Sequence, residues 1–211
     1  MSNENNSDKL ESSSQKLDST KKSTLKSILQ EIFIFAIIAV GIVFPFRMFI
    51  AEPYLVSGAS MDPTFKTGDY LIVDKLSYIR GIMPERNSVI VFKFPNDISK
   101  SFIKRIIALP GERVVIRDNT ITIFNTEFPL GFKIDQSYVV HTSLTQLDKT
   151  LSQDEYFVMG DNRAESYDSR SWGPLNKKYI LGKPILRLFP LSKIGILPGD
   201  DTGKIAEILT S

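Results

Sequence analysis

Apolar and polar residues fall along the 211-residue chain in three regimes. Residues 1–24 hold seven Ser and three Asn against three apolar side chains, Met1, Leu10 and Leu17. Such a segment buries too little surface to offset its ordering entropy, so 1–27 is expected to be a disordered tail. From Ile28 the pattern changes. Ile32 to Phe46 contains no charge, and the wider run to Ile50 is interrupted only by Gln30, Glu31, Gly41, Pro45 and Arg47. As a helix, residues 28–50 would span roughly 35 Å, enough for the ~30 Å hydrocarbon layer. A transmembrane helix over 28–50 is therefore expected, with Glu31 and Arg47 at the interfaces. A buried core helix and a cleaved signal peptide are the alternatives. The obvious cleavage point after Ala51 places the large Phe49 at −3, which disfavours the second.

Beyond Ile50 the chain breaks into short runs rich in β-branched and aromatic residues: 70–73, 89–94, 102–108, 114–117, 120–124, 138–141, 156–159 and 185–189. Turn-forming clusters separate them, among them Thr67-Gly68-Asp69, Pro110-Gly111-Glu112, Asp118-Asn119 and Gly160-Asp161-Asn162. One short helix is expected, at Asn176–Ile180. Strands at this spacing without intervening helices predict an all-β sandwich or barrel over 51–197, followed by a loose tail, 198–211.

Composition narrows the chemistry. There is no Cys, which excludes disulfide scaffolds, thiol proteases and Cys-based metal sites. The single His141 excludes two-His zinc motifs and is the one residue available for a Ser-His triad. With 26 Lys and Arg against 24 Asp and Glu, the charge balance makes no case for nucleic acid. Charge placement is more informative. Lys21, Lys22 and Lys26 precede the apolar run, while only Arg47 follows closely. The positive-inside rule puts the N-terminus in the cytoplasm and residues from about 50 onward outside.

Three segments stand out against this background. Ser57-Gly58-Ala59-Ser60-Met61-Asp62-Pro63-Thr64 reads either as a turn or as the setting of a nucleophilic serine. In the run from Phe102 to Gly111, strand alternation puts Lys104 on the same face as Phe102, Ile106 and Ala108. Such a lysine is either an edge-strand charge that prevents aggregation or a desolvated amine acting as a base at neutral pH. The run from Gly160 to Arg170 is dense in turn formers and in both signs of charge; by itself it reads as a solvated loop held by Asp–Arg pairs.

Together these segments resemble the bacterial type I signal peptidase (leader peptidase) family, whose members carry a membrane anchor. The resemblance runs from the apolar segment to about Pro190. It rests on Ser-Met-x-Pro-Thr (60–64), Gly-Asp-Tyr (68–70), Ile-Lys-Arg (103–105), Leu-Pro-Gly (109–111) and Gly-Asp-Asn-Arg…Ser-x-Asp-Ser-Arg (160–170), in matching order and spacing. It implies a coiled, barrel-like all-β catalytic domain, with Ser60 as nucleophile and Lys104 as general base. The family serine that orients this lysine corresponds to Ser166, and a bracing ion pair to Asp168 and Arg170. Asp161 and Arg163 are expected to brace the same turn. Where many members carry a second oxyanion-hole serine, this chain has Gly58, and the family's acidic residue after Asn-Arg is Ala164.

Pocket walls that admit only small side chains correspond to Tyr54, Val56, Phe102 and Ile103, with Met61 beside them. The implied substrate is the signal peptide of an exported preprotein, with small residues at −1 and −3, cut at the outer face of the cytoplasmic membrane. Neither metal nor organic cofactor is called for, and the partners are signal peptides and membrane lipid. The rival readings are a membrane-anchored β-domain that binds without catalysis and a self-cleaving regulator, which would need a helix-turn-helix that residues 1–24 are too polar to form.

Overall fold

Strand-period burial organises residues 51–199 into two antiparallel sheets. The computed structural model describes residues 28, 30–38, 40–41 and 51–199. The expected tail 1–27 lies outside the described residues, as do most of the expected tail 198–211 and about half of the expected transmembrane segment 28–50. Residues 30–38 are helical. Among the described residues no helix is long and apolar enough to cross a membrane. The chain divides into two compact units, Met1–Met48 and Phe49–Ser211, and the second carries the sheets.

The larger sheet runs in the order β1 (Ala51–Leu55), β2 (Tyr70–Asp74), β11 (Ile180–Phe189), β3 (Val89–Phe94), β4 (Asp97–Ala108), β9 (Glu155–Met159) and β10 (Leu175–Asn176), with β12 (Gly195–Ile196) paired to β11. The smaller sheet is β7 (Phe132–Lys133), β6 (Thr120–Phe124), β5 (Arg113–Arg117) and β8 (Leu147–Thr150). Two one-turn helices complete the frame, α1 (Leu76–Ile79) and α2 (Ser169–Trp172).

Local chemistry explains the pairings. β5 and β6 meet at a two-residue turn, Asp118-Asn119, whose φ values of 47° and 62° match the primed turn that suits strand twist. Asp and Asn tolerate that left-handed backbone better than other side chains. Alternation sends neighbouring side chains of β4 and β9 into different cores. Ile106 and Val158 pack with Ile90, Phe92 and Tyr156, whereas Ile107, Phe157 and Met159 pack with Val114, Ile116, Ile121 and Ile123 of the smaller sheet. A third cluster, Val56, Met61, Phe65, Leu71 and Val89, joins the turn after β1 to β2 and β3.

Seven of the eight expected strands are present. The exception is 138–141, a loop whose Tyr138 ring lies under the Arg105 guanidinium at 4.1 Å instead of on a sheet face. The helix expected at Asn176–Ile180 is a single 3-10 turn, Lys177–Tyr179. The tail expected to be loose from 198 is held at its start, because the Gly199 carbonyl accepts a 2.7 Å bond from Arg105 Nη1.

Candidate active site

The three segments singled out in the sequence converge. The turn following β1 supplies Ser60, the middle of β4 supplies Lys104, and the loop between β9 and α2 packs against both. In the β3–β4 pairing Lys104 stands opposite Ile90, a fully buried residue at the centre of the larger sheet. Lys104 is itself 4% exposed. Its Nζ lies 2.7 Å from Ser60 Oγ and donates a 3.0 Å bond to the Ile103 carbonyl. The Phe102 ring centroid is 5.4 Å from the same nitrogen.

Burial pushes the Lys104 amine down from 10.5 to about 8, against the opposing charges of Asp168 and Asp161. A substantial fraction is therefore neutral near physiological pH, as a proton acceptor must be. Ser60 carries that acceptor at hydrogen-bond distance, and its own backbone N–H has no acceptor within the described chain. The arrangement can deprotonate an alcohol and offer one N–H to the oxyanion that its attack on a carbonyl creates.

The loop after β9 holds the serine from behind. The Asn162 N–H donates to the Ser60 carbonyl at 3.1 Å. Gly160 lies so close that an added Cβ would collide with both the Ser60 carbonyl oxygen and the Ser166 hydroxyl. Ser166 Oγ accepts a bond from the Gly160 N–H at 3.1 Å and makes no hydrogen bond to Lys104, whose amine bonds Ser60 and the Ile103 carbonyl. Asp168 accepts two 2.8 Å bonds from Arg170 and one from the Gly160 N–H. Burial opposes ionisation of Asp168, but Arg170, helped by Ser166 and Gly160, outweighs it and keeps the carboxyl below its ordinary value.

Asp161 does not pair with Arg163. Both its oxygens are held by Arg105, at 2.9 and 2.7 Å, and Oδ2 also accepts a 2.6 Å bond from Thr64. Asp161 and Arg105 are each buried, so the two charges must meet with paired geometry to be tolerated. Arg163 does brace the turn, but through its Nε bond to the Gly160 carbonyl. The link from β4 to the serine turn through Arg105, Asp161 and Thr64 goes beyond what the sequence reading contains. Its signal there is an arginine beside Lys104 in an otherwise apolar strand, matched by an aspartate in a second motif.

A cleft of about 280 Å³ opens at Ser60 and Lys104. Tyr54, Val56, Phe102 and Ile103 all line it, together with Gly58 and the unanticipated Leu71, Val91, Ser101, Glu165 and Tyr167. Phe102 stacks on Phe94 at 4.8 Å, and Tyr167 meets Phe94 edge-on, which stiffens one wall. Met61 is not in the wall; it is buried among Val56, Phe65 and Leu71 beneath it. Gly58, at φ 99°, takes a left-handed turn that a side chain would strain, and its N–H donates to Thr67 Oγ1. His141 is exposed, and among the described residues its hydrogen bond to the loop is made by its carbonyl, which accepts from the Arg163 N–H.

The chain is similar to several known proteins. The family model described as signal peptidase, peptidase S26, matches residues 29–189. A probable signal peptidase I-2 of Synechocystis sp. is 33% identical over 202 residues, covering 92% of this chain and 87% of that protein. Signal peptidase IB of Staphylococcus aureus is 30% identical over 182 residues, covering 80% and 94%. A crystal structure of a signal peptidase I from Enterococcus faecalis aligns with 48% of this chain and 96% of its own, at 29% identity and a TM-score of 0.39.

Proposed function

The chain belongs to the signal peptidase, peptidase S26, family and is a serine endopeptidase, and from that premise we propose that it removes N-terminal signal peptides from exported preproteins with a Ser60/Lys104 dyad. The observation that carries the reading is the 2.7 Å approach of a buried, readily deprotonated amine to a serine hydroxyl at the floor of a cleft.

In the proposed reaction, neutral Lys104 takes the Ser60 proton as Oγ attacks the carbonyl carbon of the scissile bond. The Ser60 N–H stabilises the resulting oxyanion. As the tetrahedral intermediate collapses, the Lys104 ammonium returns the proton to the departing amine of the mature protein. Water then attacks the acyl-enzyme, with Lys104 again accepting the proton. The Ile103 carbonyl fixes one N–H of the amine, and Ser166, Asp168 and Arg170 act as positioning residues through the Gly160 backbone. Tyr54, Val56, Phe102 and Ile103 would restrict the −1 and −3 residues to small side chains, with Met61 supporting Val56 from below.

Residues 28–50 form the membrane anchor in this reading, with 1–27 cytoplasmic, 51–197 extracytoplasmic and lipid a partner of the anchor. The test is cleavage of a preprotein bearing an Ala-x-Ala site by the detergent-solubilised protein and its Lys104→Arg variant. The wild type is expected to cut after the −1 Ala and the variant to be inactive, because guanidinium does not give up its proton near neutral pH. An active Arg variant rules out the lysine base.

A further inference from the structure

A second cavity, of about 110 Å³, shares no lining residue with the cleft at Ser60. Arg163 and Arg170 line it from the Gly160–Arg170 loop, and Thr142, Ser143, Thr145 and Asn119 line it from other segments. Arg163 is 6% exposed and, among the described residues, has no carboxylate within ion-pair reach. Its Nε donates to the Gly160 carbonyl and its Nη1 to Gln136 Oε1, both neutral acceptors, and its buried Nη2 has no acceptor within the described chain. The other deeply buried arginine side chains among the described residues each face an acid: Arg105 Asp161, Arg170 Asp168 and Arg187 Asp69. Arg170 spends Nε and Nη2 on Asp168 and on backbone carbonyls, which leaves Nη1 without an acceptor among the described residues. The hydroxyls of Thr142, Ser143 and Thr145 make no hydrogen bond within the described chain.

A guanidinium stays charged even when buried, and Arg163 has only the more distant charges of Asp161 and Asp168, already bonded to Arg105 and Arg170, to offset its own. We propose that this cavity binds a small inorganic oxyanion of the phosphate or sulfate kind, held between Arg163 and Arg170 and by the hydroxyls of residues 142–145. The chemistry matches: planar N–H donors and hydroxyls around a charge-deficient space favour a multidentate oxyanion. Size selects within that class. The space exceeds the roughly 30 Å³ share of a single water but falls well below the ~300 Å³ at which organic-ligand pockets begin. A bound anion would tie the 142–145 segment to the loop that backs Ser60.

The test is binding to the full-length, detergent-solubilised protein, with sodium phosphate and sodium sulfate as probes and sodium chloride at matched ionic strength as reference. Calorimetric titration and the melting temperature are the readouts, so neither depends on cleavage. A saturable rise in Tm with either oxyanion, lost in Arg163→Met, is expected. The double variant Ser143→Ala/Thr145→Val is expected to bind about tenfold or more weakly. A rise that chloride reproduces, or one that is non-saturating and equal in Arg163→Met, reflects general salt exclusion and overturns the site. Should Arg163→Met fail to fold, unchanged affinity in the hydroxyl variant overturns it equally.

Discussion

At Lys104 the demands of stability and of chemistry conflict. Unfolded, the amine keeps its proton up to about 10.5; folded, it releases it at about 8. Between those values the unfolded chain binds the additional proton, so stability rises with pH across that window. Below pH 8 the buried ammonium destabilises the fold by about 3 kcal/mol. Lys104→Met is therefore expected to be inactive yet to melt higher than wild type at pH 7, the difference shrinking as pH passes from 8 to 10.5. A Met variant that melts lower at pH 7 contradicts this account of the site. If Lys104 is the base, as proposed, the same ionisation sets the rate: kcat/KM for preprotein cleavage is expected to climb with pH through about 8, as the amine loses its proton, and then level off.

Among the connecting elements, the loop from β9 to α2 carries the site's tolerances. With Gly160 pressed against Ser60 and Ser166, a Gly160→Ala methyl must displace one of them. The expected result is a fall in kcat of about 100-fold, the scale of an ångström-sized misplacement, with circular dichroism still reporting β structure. Near-normal kcat in that variant shows that the loop does not position the serine. In the sequence Gly160 reads only as a turn former, because close approach of another segment leaves no local mark. Lys104 stands out for the opposite reason, since a lysine on an apolar strand face is anomalous within its own few residues, whereas Ser60 alone reads equally as a turn and is singled out by the family resemblance. Enrichment in β-branched and aromatic residues likewise locates β3 and β6 to the residue. The short strands β7, β8, β10 and β12 escape it because two to four residues carry too little pattern, and all four are edge partners defined by a single neighbour. The pairing of Asp161 with Arg105 rather than Arg163 depends on β4 and β9 lying side by side, a tertiary fact. Met61, next to Ser60 in sequence, faces inward by the same token.

For the molecule as a whole, the proposed function implies a division of labour between an attachment segment, 28–50, and a catalytic body, 51–197. Deleting residues 1–50 is expected to move the protein from the membrane fraction to the soluble fraction while cleavage of a short peptide substrate persists. A full-length chain that fractionates as soluble refutes the anchor. The bonds that complete the site also span long stretches of chain. Ser60 and Lys104 are 44 positions apart, Arg105 and Asp161 56, Thr64 and Asp161 97, and Thr64 and Arg187 123. Contacts of such separation form late, after the loops between them have closed. Until then Lys104 is an ordinary hydrated ammonium and Ser60 an ordinary alcohol, so a nascent or half-folded copy is chemically inert. On the proposed dyad, proteolytic activity is therefore expected to switch on only with the last steps of folding.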